Sequence, residues 1–412
     1  MRNLEKSVPV IRFKGFSEAW EQREVSDYAI NTYGGGTPKT NVPEYWSGEI
    51  PWIQSSDLLI SNLFNVIPKK YITELAVKSS ATKFIPANSI AIVSRVGVGK
   101  LVFMPFEYTT SQDFLSLSNL QVDSNFGVYS IYMMLQKELK NIQGTSIKGI
   151  TKTDLLEKNI NKPLSKEEQQ KIGGFFKQLD NTITLHQRKL DALKLMKKGF
   201  LQRMFPNNEE AIPKVRFADF DGMWKQRKLN SITEKITRKN KELESTLPLT
   251  ISAQDGLIDQ NEYFNKIIAS RNIRGYFLVK NGEFAYNKSY SKGYPWGVVK
   301  RLDNYNMGVL STLYIIFKPV KINSDFLTKY FDSTYWYRAV SQFATEGARN
   351  HGLLNIAASD FFEIELNIPL NNEEQKKIGL FFQQLENIII LHQNKLEKLS
   401  ILKKTYLKKM FI

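Results

Sequence analysis

Residues 163–205 read PLSKEEQQKIGGFFKQLDNTITLHQRKLDALKLMKKGFLQRMF, and residues 369–411 read PLNNEEQKKIGLFFQQLENIIILHQNKLEKLSILKKTYLKKMF. The second stretch repeats the first at an offset of 206, with 25 of 43 positions identical, so the chain carries a long-period duplication. Apolar residues recur four and three apart in each copy: Ile172, Phe176, Leu179, Ile183, Leu190 and Leu193, and in the same register Ile378, Phe382, Leu385, Ile389, Leu396 and Leu399. That spacing predicts two long amphipathic helices with a coiled-coil seam. Pro163 and Pro369 mark their starts, and Glu167, Glu168, Glu373 and Glu374 place acidic groups in the first turns, where the helix dipole favours them. From Ile172 to Met204 each helix would span about 48 Å.

His186 with Lys197, and His392 with Lys403, interrupt the seam in both copies. They read as register-fixing or snorkelling positions, or as contacts to a ligand. Two histidines without thiolate or carboxylate companions fall short of a four-ligand zinc set, so no metal site is expected.

A shorter block repeats at an offset of 204. Pro9, Arg12, Phe13, Phe16, Trp20, Gln22 and Arg23 return as Pro213, Arg216, Phe217, Phe220, Trp224, Gln226 and Arg227. Residues 26–160 and 230–366 show little alignable similarity. The framework is duplicated and its content is not. The expected organisation is a first globular domain (1–162), a first spacer helix (163–205), a linker (206–212), a second globular domain (213–368) and a second spacer helix (369–412). The fold class is α+β: two globular α/β-type domains joined by long helices that pair as an antiparallel coiled coil, a pseudo-two-fold tandem repeat. Antiparallel pairing would set Pro9–Arg23 beside the end of the second helix, as Pro213–Arg227 follows the end of the first.

The 412 residues are 42% hydrophobic and 24% charged, with a net charge of +16 and a pI near 9.5, a balance that favours polyanionic partners. Residues 163–205 contribute +5 and 369–412 contribute +4, against +3 and +4 from the two globular halves. The helices therefore carry much of the excess, as a solvated face or as a track for a partner. Absence of cysteine excludes disulfides, thiolate zinc sites and cysteine nucleophiles. Met1–Val10 lacks a signal-like apolar stretch, and no run approaches the roughly 18 apolar residues of a membrane span, so a cytoplasmic location is expected.

The globular halves offer polar, cationic loops. Tyr33-Gly34-Gly35-Gly36-Thr37-Pro38-Lys39-Thr40 lacks the Gly-Lys-Ser/Thr ending of a nucleotide loop and reads as a flexible segment. Gln54, Ser55 and Ser56 follow a strand-like run, and so do Arg95 to Lys100, as a hairpin turn or as an approach to a phosphate backbone. Ser111, Gln112 and Lys148 lie in further polar clusters. In the second half, Ser252 and Gln254 close a strand-like run, Asn287, Lys288, Tyr290, Lys292 and Tyr294 mix amides, cations and aromatics, and Arg349 and Asn350 occupy a glycine-rich loop. These are the candidate DNA contacts, because amide, hydroxyl and cationic groups read base edges and phosphates; each cluster reads equally as surface loop. There is no Asn/Asp-Pro-Pro-aromatic tetrapeptide for amino-methyl transfer, and no catalytic residue is assigned.

With these motifs in place the chain resembles, along essentially its whole length, the specificity subunit of Type I restriction–modification systems. The resemblance rests on Arg-Phe-x-x-Phe-x-x-x-Trp at Arg12–Trp20 and Arg216–Trp224, on the runs from Gly35 to Trp52, and on Glu-Gln-x-Lys-Ile at Glu168–Ile172 and Glu374–Ile378. It implies that each half is a target recognition domain reading one half of a split double-stranded DNA site, while the helices set spacing and dock two modification subunits. It further implies that S-adenosylmethionine sits on those subunits, that ATP and magnesium sit on restriction subunits where these join, and that this chain binds no cofactor. A stand-alone nuclease or methyltransferase with built-in specificity is the competing reading, and a coiled-coil scaffold or RNA-binding module a third.

Overall fold

The structure is a computed structural model and describes residues 8–141, 149–207, 210–266, 272–289, 293–343, 354 and 356–412. It divides into two compact units, residues 1–187 with 394–412 and residues 188–393, so the division falls inside the long helices.

The first unit begins with β1 (Glu21–Glu24), antiparallel to β9 (Asn159–Lys162). Between them lies a four-stranded antiparallel sheet in the order β2 (Ala29–Gly34), β8 (Phe114–Leu120), β5 (Ser89–Val93), β6 (Leu101–Met104). A smaller sheet runs β4 (Lys70–Ile72), β3 (Ile50–Ile53), β7 (Thr109–Thr110), with β3 and β7 parallel. The central strand Ser-Ile-Ala-Ile-Val is buried at all five positions, and the two-residue period of a strand explains why. Ile90 and Ile92 enter the core formed with Trp20, Phe126 and Phe176, whereas Ala91 and Val93 enter a second core with Ile53, Tyr108 and Phe114. The sheet is thus covered on both faces. Helices α1 (Glu74–Lys78), α2 (Ser124–Asn141), α3 (Lys152–Leu156) and α4 (Lys166–Arg203) complete the series up to the first repeat.

The second unit is built on the same plan. β10 (Lys225–Lys228) pairs antiparallel with β19 (Glu365–Ile368). Its four-stranded sheet runs β11 (Thr233–Ile236), β18 (Ile315–Pro319), β15 (Phe284–Asn287), β16 (Val298–Arg301), which is the first unit's order with each strand at the equivalent place in the chain. β12 (Leu249–Ser252) pairs with β13 (Gly256–Asp259), and β14 (Phe277–Lys280) with β17 (Met307–Leu310). The parallel bridge Pro248 to Val309 corresponds to the β3–β7 pairing. Again alternate residues part company: Phe284 and Tyr286 join one core and Ala285 the other. Helices α5 (Leu229–Ile232), α6 (Gln260–Phe264), α7 (Ser324–Asp332), α8 (Trp336–Ser341) and α9 (Ala358–Glu363) precede α10 (Asn372–Met410).

Each long helix starts from a polar cap, Ser165 Oγ accepting from Glu168 N at 3.3 Å and Asn371 Oδ1 accepting from Glu373 N at 2.8 Å. The Glu-Gln pair that follows ties the helix to its unit. Glu168, 1% exposed, accepts two bonds from Arg12 (2.6 and 2.8 Å) and one from the Trp20 indole (3.4 Å). Glu374, also 1% exposed, takes the same bonds from Arg216 (2.6 and 2.7 Å) and Trp224 (3.2 Å). Gln169 reaches back to the Pro163 carbonyl and accepts from Asp123 N; Gln375 does the same with Pro369 and Asn323. The repeated lead-in residues are therefore the partners of the repeated helix starts.

In both units the start of one long helix packs antiparallel on the end of the other. In the first, Phe175 meets Tyr406 edge-on (5.4 Å), Lys403 pairs with Asp180 (2.5 Å), and Ile11 N donates to Lys409 O (2.9 Å). In the second, Phe381 meets Phe200 (4.9 Å), Lys197 pairs with Glu386 (2.6 Å), and Val215 N donates to Arg203 O (2.8 Å). These are the same repeat positions in the same register, and they place the lead-in blocks beside the helix ends. The lysines that interrupt the seam are its ionic register pins. The outermost seam residues do more than pair helices: Ile172 and Phe176, and Ile378 and Phe382, belong to the globular cores. No helix among the described residues is long and apolar enough to cross a membrane.

Replacing Arg12 or Arg216 by alanine strands a buried carboxylate, at a cost of about 3–5 kcal/mol. The expected outcome is a lowered urea midpoint for either variant, read against Arg23→Ala, whose partner Glu21 retains Lys162.

Candidate nucleic-acid interface

In the first unit the loops at one end of the sheets converge. Gly34 to Thr40 leaves β2; Gln54 to Asp57 leaves β3; Ser94 to Lys100 joins β5 to β6; Ser111 to Asp113 joins β7 to β8. Gly36 N donates to Thr110 O (2.9 Å) and Thr37 Oγ1 to Gln112 Oε1 (2.5 Å). Ser111 N donates to Ile53 O (3.0 Å), Ser94 N to Asp113 O (2.7 Å) and Lys100 Nζ to Ser55 O (2.9 Å). Candidate residues from four separate stretches, Lys39 and Thr40, Gln54 to Ser56, Arg95 and Lys100, and Ser111 and Gln112, thus lie on one connected loop surface. Lys39, Thr40, Ser56, Arg95 and Gln112 are exposed; Ser111 is buried and serves the loop's own bonding.

The glycine triplet, expected as a flexible segment, is pinned. The Trp52 indole donates to Gly36 O (3.0 Å), Thr82 Oγ1 to the same oxygen (2.9 Å), and the Trp46 indole to Lys39 O (3.1 Å). At Gly35 and Gly36 a side chain is excluded by the backbone that lies over them. A Cβ on Gly34 would meet Lys152 Nζ, one on Gly35 the Ser111 carbonyl and Thr110 hydroxyl, and one on Gly36 the backbone of Ala81 and Thr82. The triplet is a packing node that presents Thr37 and Lys39 in a fixed place.

In the second unit the matching loops occupy matching places in the strand order. Ser252 and Gln254 sit at the β12–β13 turn, where Ser252 Oγ bonds Asp255 (2.8 Å) and Gln254 is exposed. Asn287 ends β15 and accepts from Ser289 N (3.0 Å). Lys288 is turned inward, its Nζ on Ile356 O (3.2 Å). Of the aromatics nearby, Tyr286 is core and bonds Trp296 O, Trp296 packs against that core, and Tyr294 is half-buried. Lys148, Tyr290, Lys292, Arg349 and Asn350 lie outside the described residues.

Sequence reasoning passed over Lys83 and Lys152, which join the first unit's loop surface through Thr82 and Gly34. Lys152 stands in Thr-Lys-Thr-Asp, a helix-start pattern that reads as a cap and not as a loop contact. Among the described residues no group of three or more acidic or histidine side chains is placed to hold a metal ion.

Gly36→Ala forces a Cβ into backbone, and overpacking of this kind costs about 1–3 kcal/mol. Gly174→Ala, on the open face of α4 with nothing within 4 Å, is expected to gain up to about 1 kcal/mol through helix propensity. Opposite shifts in the denaturation midpoint are the outcome to check.

Residues 17–195 match the family model described as a Type I restriction modification DNA specificity domain. The Type I restriction enzyme MjaIX specificity subunit of Methanocaldococcus jannaschii is 31% identical over 207 residues, 47% of this chain and 46% of that protein. The EcoR124I/EcoR124II specificity subunit of Escherichia coli is 35% identical over 170 residues, 37% of this chain and 40% of that protein. The matched segment spans less than half the length of either relative. Among solved structures, the Type I restriction-modification S subunit from M. genitalium superposes with a TM-score of 0.60 at 15% identity, covering 98% of this chain and 99% of that one. A structure described for complex assembly and conformational transition of the type I R-M system gives 0.52 at 14% identity, covering 95% and 97%. These two superpositions establish the shared fold, and the sequence matches show that residues 17–195 are similar to the Type I restriction modification DNA specificity domain.

Proposed function

We propose that this chain is the non-catalytic DNA-recognition subunit of a Type I restriction–modification complex. Each globular half reads one half of a bipartite double-stranded target, and the long helices set the spacing and dock two modification subunits. S-adenosylmethionine is then bound by those partners, and ATP and magnesium by restriction subunits where they join; the site of action is the cytoplasm. The observation that carries this reading is the pairing of one strand order with two unlike sets of loops on a duplicated helix framework. Identical frameworks suit identical partners, and unlike loops suit unlike half-sites. The specificity-subunit names of the relatives support it.

The phosphate-contacting share of binding is electrostatic and weakens steeply with salt. The purified chain is expected to bind duplex DNA weakly with a steep salt dependence, and to gain site preference when reconstituted with its modification partner. Mapping methylated adenines in a host genome with and without this gene should return one split motif that disappears on deletion. Site-independent binding by the reconstituted complex, or an unchanged methylation map, would remove the reading.

A further inference from the structure

On the first unit's loop surface three cations from three segments meet without a counter-charge. Lys152 Nζ fills the space that a side chain on Gly34 would need, so its ammonium rests against the glycine backbone. Arg95 is held against the same segment: a Cβ on Gly149, three residues before Lys152, would stand 2.9 Å from Arg95 Cα and 3.0 Å from the Ser94 carbonyl. Lys83 follows Thr82, whose hydroxyl is bonded to Gly36 O. Lys152 is thus placed on Gly34 itself, Arg95 by its backbone against Gly149, and Lys83 next in the chain to the threonine that bonds Gly36.

Among the described residues, none of the three makes an ion pair or hydrogen bond, although carboxylates pair with Lys69, Lys158 and Lys162 in the same unit. Lys83 and Arg95 are exposed, and Lys152 is half-buried. Burial pulls the Lys152 amine below its ordinary value, and Arg95 and Lys83 add to that pull. Gathering like charges without a carboxylate costs stability in the free protein, and an anion placed among them removes that cost.

We propose that Lys83, Arg95 and Lys152 form a seat for a backbone phosphate of the DNA, beside the exposed groups of Thr37, Lys39 and Gln112. The proposal rests on the DNA-recognition reading above and deepens it. The seat carries no base information. It fixes how the loop surface lies on the duplex, so that the neighbouring polar groups meet base edges in one register.

The test uses the full chain and a duplex of random sequence, since phosphate contacts do not depend on base order. Affinity is measured over a series of salt concentrations for the wild type and for Lys83→Gln, Arg95→Gln, Lys152→Gln and Lys152→Arg, with thermal unfolding recorded for each. Each glutamine variant should lower affinity several-fold and reduce the log–log salt slope by about one, and Lys152→Arg should keep the wild-type slope. Lys83 and Arg95 are exposed, so their variants carry the test even where Lys152→Gln fails to fold. Wild-type binding with a slope that none of the glutamine variants alters would overturn the seat and leave the DNA reading intact. Absence of salt-dependent wild-type binding would overturn both.

Discussion

A carboxylate can be held away from water only where donors replace its hydration, and the fold of each unit turns on one such group. Glu168 and Glu374, both 1% exposed, sit in the first turns of the long helices and are each met by an arginine fork and an indole from a segment about 150 residues distant. The adjacent glutamine spans the gap between the preceding proline carbonyl and the N-terminus of the helix that follows the main sheet. Two neighbouring side chains thus fix where the lead-in block, the sheet's last helix and the long helix stand within a unit. Changing any one partner leaves the others unsatisfied in a low-dielectric site, which is why these positions are alike in the two copies while the strands are not.

The same logic governs how the helices meet. Apolar seams slide by a heptad at modest cost, whereas an acid and a lysine that must coincide do not. Asp180 with Lys403 and Glu386 with Lys197 are one pair of repeat positions used twice. The surrounding networks differ: Tyr129 donates to Asp180 (2.6 Å), and Lys329 pairs with Glu386 while also lying 3.6 Å from Asp332. A shared register with unlike supports ties each helix end to its own unit's core.

Much of this frame was legible in the sequence because it rests on local rules. A four-three apolar spacing with a cap and acidic first turn is a helix wherever it occurs, and duplication marked Arg12, Trp20 and Glu168 as framework. Their mutual bonding was not legible, since nothing local links residues 156 apart. The common strand order of the two units was hidden for a different reason. A strand covered on both faces needs only side chains of fitting size and polarity, so Ser-Ile-Ala-Ile-Val and Phe-Ala-Tyr-Asn hold equivalent places with only the alanines Ala91 and Ala285 in common. The glycine triplet was misjudged as flexible because the need for glycine at Gly35 and Gly36 lay in Ser111, Thr110 and the Ala81–Thr82 backbone above them. Lys288, a candidate contact by type, is spent on the Ile356 carbonyl.

These two kinds of illegibility explain how the loop surface can differ between the units while the scaffold persists. Strand residues contribute to two cores at once, so volume and polarity are restrained but identity is not. The loop residues that remain exposed, such as Lys39, Arg95 and Gln112, contribute little burial and can be exchanged at small cost to folding. What cannot be exchanged freely is the support beneath them: the indoles of Trp46 and Trp52, the Thr82 hydroxyl and the unsubstituted glycine backbone hold the loop in place. A contact between a held loop and a rigid duplex loses less conformational entropy than one made by a mobile loop. On the reading proposed above, specificity would depend as much on these supports as on the side chains that would touch DNA.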